Sequence, residues 1–458
     1  MPTPHITEEQ VLDLVEQKAW AQIAAAIATW HPADMADLIE QAPDEYHRTL
    51  FDLVPESSRP DVLAELESDT ESDVVRSLTN IELSDIIEDM APDDAADVLG
   101  ELPEERTEDV LQLMEVEESN EVRKLLEYAE DSAGGIMTTD IVAMHEQQTV
   151  DEALQAIAYL DTNEQFYHAN IVDADNRLLG NINVWELLRE RERNRALADL
   201  VHRDVIAANV NMDQEEVARL MVRYDLNAIP VVDNGNVLVG RITADDVIDV
   251  IEEEASEDIF KMAGSDDAEL DGSSVFKSCV VRLPWLLITL LGSVITSIIL
   301  RHFHAYLSGI MVLASFVPAV LAMGGNTGIQ SSTLIVRSLA LGTIRKGEIL
   351  AILGREIMTG ALMGGICGGV IGLTARFAMI GQTDQLAFPA ANVGVVVALA
   401  LFSAMTFAAM FGALVPLVLD RLKIDPAMAS GPFITITNDI SALLIYFGIT
   451  IVMLSRLA

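Results

Sequence analysis

Over residues 1–130 apolar positions recur at helical spacing in short runs. Leu, Ile, Val and Ala fall on one face of each run, and Asp and Glu on the other. Two runs are alike, HPADMADLIEQAP at 31–43 and APDDAADVLGELP at 91–103. Each opens on a proline and acids, which suits the first turn of a helix, and each closes at a second proline. The repeat predicts a small helical superhelix. Over 137–255 the pattern changes. IVDADNRLLGNINVWELL (171–188) and PVVDNGNVLVGRITADDVIDV (230–250) share one order: an apolar strand ending in Val-Asp, an Asn/Gly turn, a second apolar strand and a helix.

Beyond residue 280 the apolar stretches become long enough to span a bilayer, which takes about 20 helical residues. Five are predicted, at roughly 283–303, 308–341, 349–379, 392–419 and 431–455. The second and third exceed the needed length, which predicts tilt or a break. With the N-terminus inside, Lys277, Arg282, Arg337, Arg345, Lys346, Arg355, Arg421 and Lys423 flank the inner ends, against Arg301, Arg376 and Arg456 outside. This bias places the front half in the cytoplasm and, with an odd number of spans, the C-terminus outside. Gly360, Gly364, Gly368 and Gly372 make a small-residue seam in the third span, suited equally to a dimer or pore face and to packing within one chain. Asp439 lies inside the fifth span with no basic residue near it in sequence. A carboxylate there needs water, a proton or a cation, or is a protonated structural Asp. MGGNTGIQSST (323–333) puts glycines and Asn, Thr, Gln and Ser oxygens into the second span, a combination tolerated where it lines a wet path or is buried in protein.

Charge divides the chain at the same place. The formal net charge is −44, made of −49 over residues 1–276 and +5 over 277–458. The acidic part excludes nucleic-acid binding, because phosphates repel it, and attracts cations. Acids crowd VIDVIEEEASEDIFKMAGSDDAEL (247–270), where like charges at i,i+3 and i,i+4 oppose a helix. A divalent cation relieves that repulsion; a solvated linker is the alternative. Cys279 and Cys367 imply neither a disulfide framework nor a thiolate metal site. The start of the chain has no signal-peptide pattern. HEQQT at 145–149 lacks the second His of a zinc protease, and there is no P-loop and no GxSxG, so no enzyme is expected. His302 and His304, lacking a third ligand, read as exposed loop residues.

The two strand–turn–strand–helix copies resemble a tandem pair of cystathionine-beta-synthase (CBS) domains, a family whose cleft often binds adenine nucleotides. Asp246, in TADD, matches that family's ribose-contacting Asp. The first copy departs from the pattern, with Asn183 and Val184 in place of the Thr and Trp185-Glu186 where the Asp would stand. The chain as a whole, through MGGNTGIQ and DPAMASGPFITITND, resembles the MgtE family of bacterial magnesium channels or transporters. The resemblance implies an all-α superhelical domain (1–130), two CBS modules (131–200 and 201–255), a connecting plug helix (256–276) and a five-span membrane domain (277–458). It implies a homodimer in the plasma membrane, taking up magnesium, with ATP or another adenine nucleotide as a candidate ligand of the CBS pair. For the pore it implies Asp439, Asp425 and Asn326, with no role for Ile329. For regulatory magnesium it implies Asp93, Asp97, Asp213, Asp225, Asp246, Asp249, Glu254, Glu257 and Asp258.

The implied mechanism is feedback. Cytoplasmic magnesium screens the acidic faces, the sensor compacts, and the plug helices shut the pore, driven by tighter ion binding to the closed state. No proton relay of buried Asp, Glu and His is evident in the spans, which favours a channel-like path over proton-coupled exchange. Two alternatives compete: a CBS-regulated anion channel, which needs a basic or backbone-amide filter, and a membrane-anchored nucleotide or metal sensor that transports nothing, which needs neither the polar glycine turn nor Asp439.

Overall fold

Proline starts the helices where the sequence places it. In the computed structural model, which describes residues 8–159, 166–265, 275–304, 311–344, 347–378, 390–429 and 431–457, Pro32 and Pro92 each occupy the first position of a helix. The N-terminal region is a run of short helices: α1 Glu8–Glu16, α2 Trp20–Ile27, α3 Pro32–Glu40, α4 His47–Leu53, α5 Arg59–Ala64, α6 Ser68–Ser77, α7 Asn80–Glu88, α8 Pro92–Gly100, α9 Glu104–Leu111 and α10 Val116–Leu125. Thr79 and Glu82 close a reciprocal capping box at the start of α7, tying two otherwise unpaired amides. Each helix is too short to be stable alone, so its apolar stripe must be buried against its neighbours.

Two three-stranded sheets follow, one per copy. In the first, β1 (Ala143–His145) pairs in parallel with β2 (His168–Val172), which pairs antiparallel with β3 (Leu178–Asn183). The second repeats this with β4 (Ala208–Asn209), β5 (Ala228–Val232) and β6 (Leu238–Thr243). The associated helices are α11 (Val150–Ala158), α12 (Val184–Arg189), α13 (Gln214–Tyr224) and α14 (Ala244–Ala263). The Val-Asp signature is a turn device. Asp173 Oδ1 accepts from the amides of Asp175 and Arg177 at 2.9 Å, and Asp233 Oδ1 from those of Gly235 and Val237 at 2.8 Å. The two hairpins then pair with one another: Leu178 N donates to Asn236 O and Leu238 N to Asn176 O, both at 3.0 Å. Val172, Leu178, Val232 and Leu238 form a shared apolar patch under this pseudo-two-fold contact. A larger core runs continuously from Val11 through the helical region to Val247 and Val250 at the base of α14. Helical region and second copy are therefore one packed body.

Residues 1–252 and 253–458 form separate compact units. The second contains α15 (Val275–His304), α16 (Met311–Ala314), α17 (Val317–Ala340), α18 (Ile349–Ala378), α19 (Ala390–Leu422) and α20 (Pro432–Leu457). Four of these helices are long and apolar enough to cross a membrane by composition alone, within Ser278–Phe303, Ile349–Phe377, Asn392–Leu422 and Pro432–Met453. The remaining long helix, α17, carries the Gly/Asn/Thr/Ser segment that lowers its hydropathy. The long second stretch is interrupted between α16 and α17, just before Pro318. Its first expected positions (308–310), the inner-flank Arg345 and Lys346, and residues 266–274 of the expected connecting segment lie outside the described residues.

Candidate functional site

The expected regulatory acids fall into two groups along α14. In the first unit, Asp93 sits in the first turn of α8, 8 % exposed, and its Oδ1 has no hydrogen-bond partner among the described residues. Burial, and then the charge of Asp246, pushes its carboxyl up to about 6. Asp94 is pushed higher, to about 8, by burial and then by Asp93, Asp246, Asp97 and Asp61. Asp246 is itself raised by burial, although its Oδ2 accepts from Thr243 N at 3.0 Å and Thr243 Oγ1 at 2.6 Å. Asp249, one turn on, is raised by burial and then by Asp246. Burial, followed by Glu101, Asp97 and Asp94, likewise pushes Glu71 of α6 up to about 8. Asp97 thus belongs to this cluster from an exposed position. Asp213 and Asp225 do other work locally: Asp213 caps α13 through Glu215 N at 3.0 Å, and Asp225 ends that helix in the left-handed conformation, φ 51°. Both are exposed.

The second group lies within the second unit. Glu254, Glu257 and Asp258 follow one another along the last turns of α14. Burial, followed by Asp425 and Glu254, pushes Asp258 up to about 6. Lys261 Nζ bonds Asp425 Oδ2 at 2.8 Å and Glu257 Oε1 at 2.5 Å. Asp425 precedes α20, and its Oδ1 accepts from Ala427 N at 2.8 Å.

Along α20, Asp439 is half-buried and its Oδ1 faces Gly325, 3.7 Å from where a Cβ on that glycine would sit. Among the described residues no Lys or Arg pairs with it. The glycine-rich stretch of α17, which is continuous helix, and the acid of α20 are thus neighbours, while Asn326 is exposed. Tight packing holds them there. A Cβ on Gly328 would lie 1.7 Å from Asn438 Nδ2, and one on Gly412 of α19 would lie 2.3 Å from Gly328 O. Glycine is required where three helices meet this closely.

The α18 glycine seam, open in the sequence to two readings, packs within the chain. Gly360 faces Ala409, Gly364 faces Phe402, Gly368 faces Ala398 and Gly372 faces Gly394, all on α19. Leu362, Ile366 and Val370 point the other way and are exposed.

Four features were missed in the sequence. Glu356 of α18 is 4 % exposed and accepts from Ser331 Oγ at 2.9 Å; an acid in an apolar span is itself the signal. Asn438 is 1 % exposed with both side-chain polar atoms unpartnered among the described residues. The Glu71–Asp94 crowding joins residues of two different helices, which no local motif reveals. In the first CBS copy, His168, Asn181, Asn183, Trp185, Glu186, Arg189 and His202 line a cleft of about 650 Å³, with His202 Nε2 and Glu186 Oε2 2.7 Å apart.

Known proteins match in the same order. The MgtE intracellular N domain matches residues 30–131, the CBS domain 133–193 and 197–253, and the divalent cation transporter domain of MgtE 317–449. The magnesium transporter MgtE of Bacillus subtilis is 38 % identical over 323 residues, covering 70 % of this chain and 69 % of the relative. That of Thermus thermophilus is 37 % identical over 329 residues, 70 % of each chain. A crystal structure of the cytosolic domain of the Mg2+ channel MgtE in complex with ATP is similar at 30 % identity and TM-score 0.49, covering 53 % of this chain and all of that one. With its helical, CBS and transporter domains each matched in this order and relatives 36–38 % identical over 70 % of its length, the chain belongs to the MgtE family of divalent cation transporters.

Proposed function

We propose that this transporter, which is not an enzyme, carries magnesium inward across the plasma membrane and closes when cytoplasmic magnesium rises. Identities of 36–38 % to three proteins named as magnesium transporters support the choice of ion. Magnesium dehydrates reluctantly and keeps several waters. A half-buried Asp439 beside the glycine-rich stretch of α17 suits such an ion. Asp425 and Asn326 are the further pore residues in this reading.

The observation that carries the gating is the crowding of Asp93, Asp94 and Asp246, whose carboxyls burial and mutual repulsion push up. Bringing these acids together costs free energy that a divalent cation offsets, so the packed arrangement binds magnesium more tightly than a loosened one. Among the described residues no three His, Cys, Asp or Glu side chains are placed to hold one metal ion directly. The donor set therefore fits an ion held through its water shell. Asp97, Asp213, Asp225 and Asp249 complete the cytoplasmic set, and Glu254, Glu257 and Asp258 the set beside Asp425.

The assembly is a homodimer with its N-terminus cytoplasmic and C-terminus outside. ATP or another adenine nucleotide is a candidate ligand of the CBS pair. In the first copy Trp185 offers a stacking face and Arg189 a phosphate partner in the cleft. In the second, Asp246 stands at the family's ribose position but is already bonded to Thr243.

The test is magnesium entry into liposomes holding the full chain, with magnesium varied on the cytoplasmic side. Wild type is expected to be suppressed as cytoplasmic magnesium rises. Asp93→Asn/Asp246→Asn is expected to need at least about fivefold more, the lower end of ordinary coupling between sites. Entry that ignores cytoplasmic magnesium overturns the gating, and no entry from folded protein overturns transport.

A further inference from the structure

The end of α14 is fastened to the entrance of α20. Gly264 closes α14 in the left-handed region, φ 72°, and a Cβ there would lie 3.3 Å from Trp285 and 3.4 Å from Pro432. A Cβ on Gly431 would lie 2.2 Å from the carbonyl oxygen of Met262. Backbone approaches backbone here, so the contact has no slack. Yet it brings together like charges, since Glu257 and Asp258 of α14 lie beside Asp425.

One side chain offsets that repulsion. Lys261 reaches from α14 to Asp425 Oδ2 at 2.8 Å while still bonding Glu257 Oε1 at 2.5 Å. The other oxygen of Asp425 is fixed by Ala427 N. The ammonium is therefore held by one carboxylate of each element. A lysine ammonium is charged throughout the physiological pH range, and here it donates to Asp425 and to Glu257.

We infer that Lys261 is a tethered counter-ion that latches α14 onto the mouth of α20 and thereby sets how much cytoplasmic magnesium closing requires. The inference rests on the proposed feedback gating and adds to it a resident monovalent charge. Magnesium need neutralise only the acids that Lys261 leaves, namely Asp258 and its neighbours. Without the ammonium, closing would press Asp425 against Glu257 and Asp258 uncompensated, and a higher magnesium concentration would be needed. A single partly exposed ion pair is worth little for stability. Its leverage here is on the balance between two arrangements, only one of which makes it.

Two readouts test this. In the liposome assay, Lys261→Met, with Lys261→Gln as a second neutral variant, is expected to raise the half-suppressing magnesium concentration at least about fivefold. Lys261→Arg is expected to stay close to wild type. Superimposed wild-type and neutral-variant curves overturn the latch. The second readout needs no transport. With Cys279→Ser and Cys367→Ala as background, maleimide labelling of Met262→Cys at the magnesium concentration that half-suppresses wild-type entry is expected to quicken severalfold when Lys261→Met is added, and an unchanged rate overturns the latch. Quickened labelling in a protein whose entry ignores cytoplasmic magnesium keeps the latch and refutes the gating reading alone.

Discussion

A carboxylate in a membrane span is retained only where something repays its desolvation. Asp439 has no ion pair among the described residues and faces the backbone of Gly325, and in the proposed pore role water and the passing cation offset its desolvation. Asp439→Ala is therefore expected to lower magnesium entry at least about 100-fold, as loss of one desolvated charge contact of about 3 kcal/mol does, while the protein still folds and inserts. Entry at the wild-type rate would assign Asp439 a structural role. Much of this site is legible in sequence, because Asp439 and the GGNTG stretch each break an apolar run. Glu356 breaks one as well, but it follows Arg355 at the inner end of its helix and reads as flank. Only the contact with Ser331 shows it buried. Asn438 was hidden for a different reason: its importance lies in fitting against Gly328, a partner 110 positions away.

At the scale of elements, periodicity and punctuation carry most of the information. Proline starts α3 and α8, Val-Asp makes both hairpin turns, and long apolar runs become helices, because each follows from a local rule. The α18 seam did not resolve in sequence, since four glycines say that a backbone comes close but not whose. The acidic faces of α6 and α8 resolved only in part. The amphipathic pattern puts acids outside, and most are, but Asp93 turns inward and Glu71 and Asp94 meet across two helices. This has a measurable consequence. Carboxyls raised to about 6 and 8 in the folded state and ordinary when unfolded bind more protons folded than unfolded. Stability must then fall as pH rises from about 4 to about 8. In EDTA the thermal midpoint of the cytoplasmic part is expected to be higher at pH 5 than at pH 8. Adding magnesium at pH 8 is expected to raise it, by about 2–4 °C for each kcal/mol recovered. Scanning fluorimetry of the full chain reads both, and a midpoint that rises with pH in EDTA would refute the acid crowding.

For the whole molecule, the proposed orientation rests on the basic residues at the span ends. Eight Lys and Arg at the inner span ends against three at the outer ends put the acidic part in the cytoplasm in this reading. That orientation is also the one in which the function makes sense. The membrane potential, negative inside, draws a divalent cation inward with about 4.6 kcal/mol per 100 mV, so the proposed uptake would need no further energy source but would need a brake. A brake must read the concentration on the side where ions accumulate, which is where the acidic part lies in this orientation. Single cysteines in the Cys279→Ser/Cys367→Ala background decide it in intact cells. A membrane-impermeant maleimide is expected to label Thr383→Cys, between the third and fourth spans, and to leave Glu56→Cys unlabelled until the membrane is opened. The reverse pattern would put the acids on the outer face, where they could attract magnesium to the transporter but could not report how much had entered.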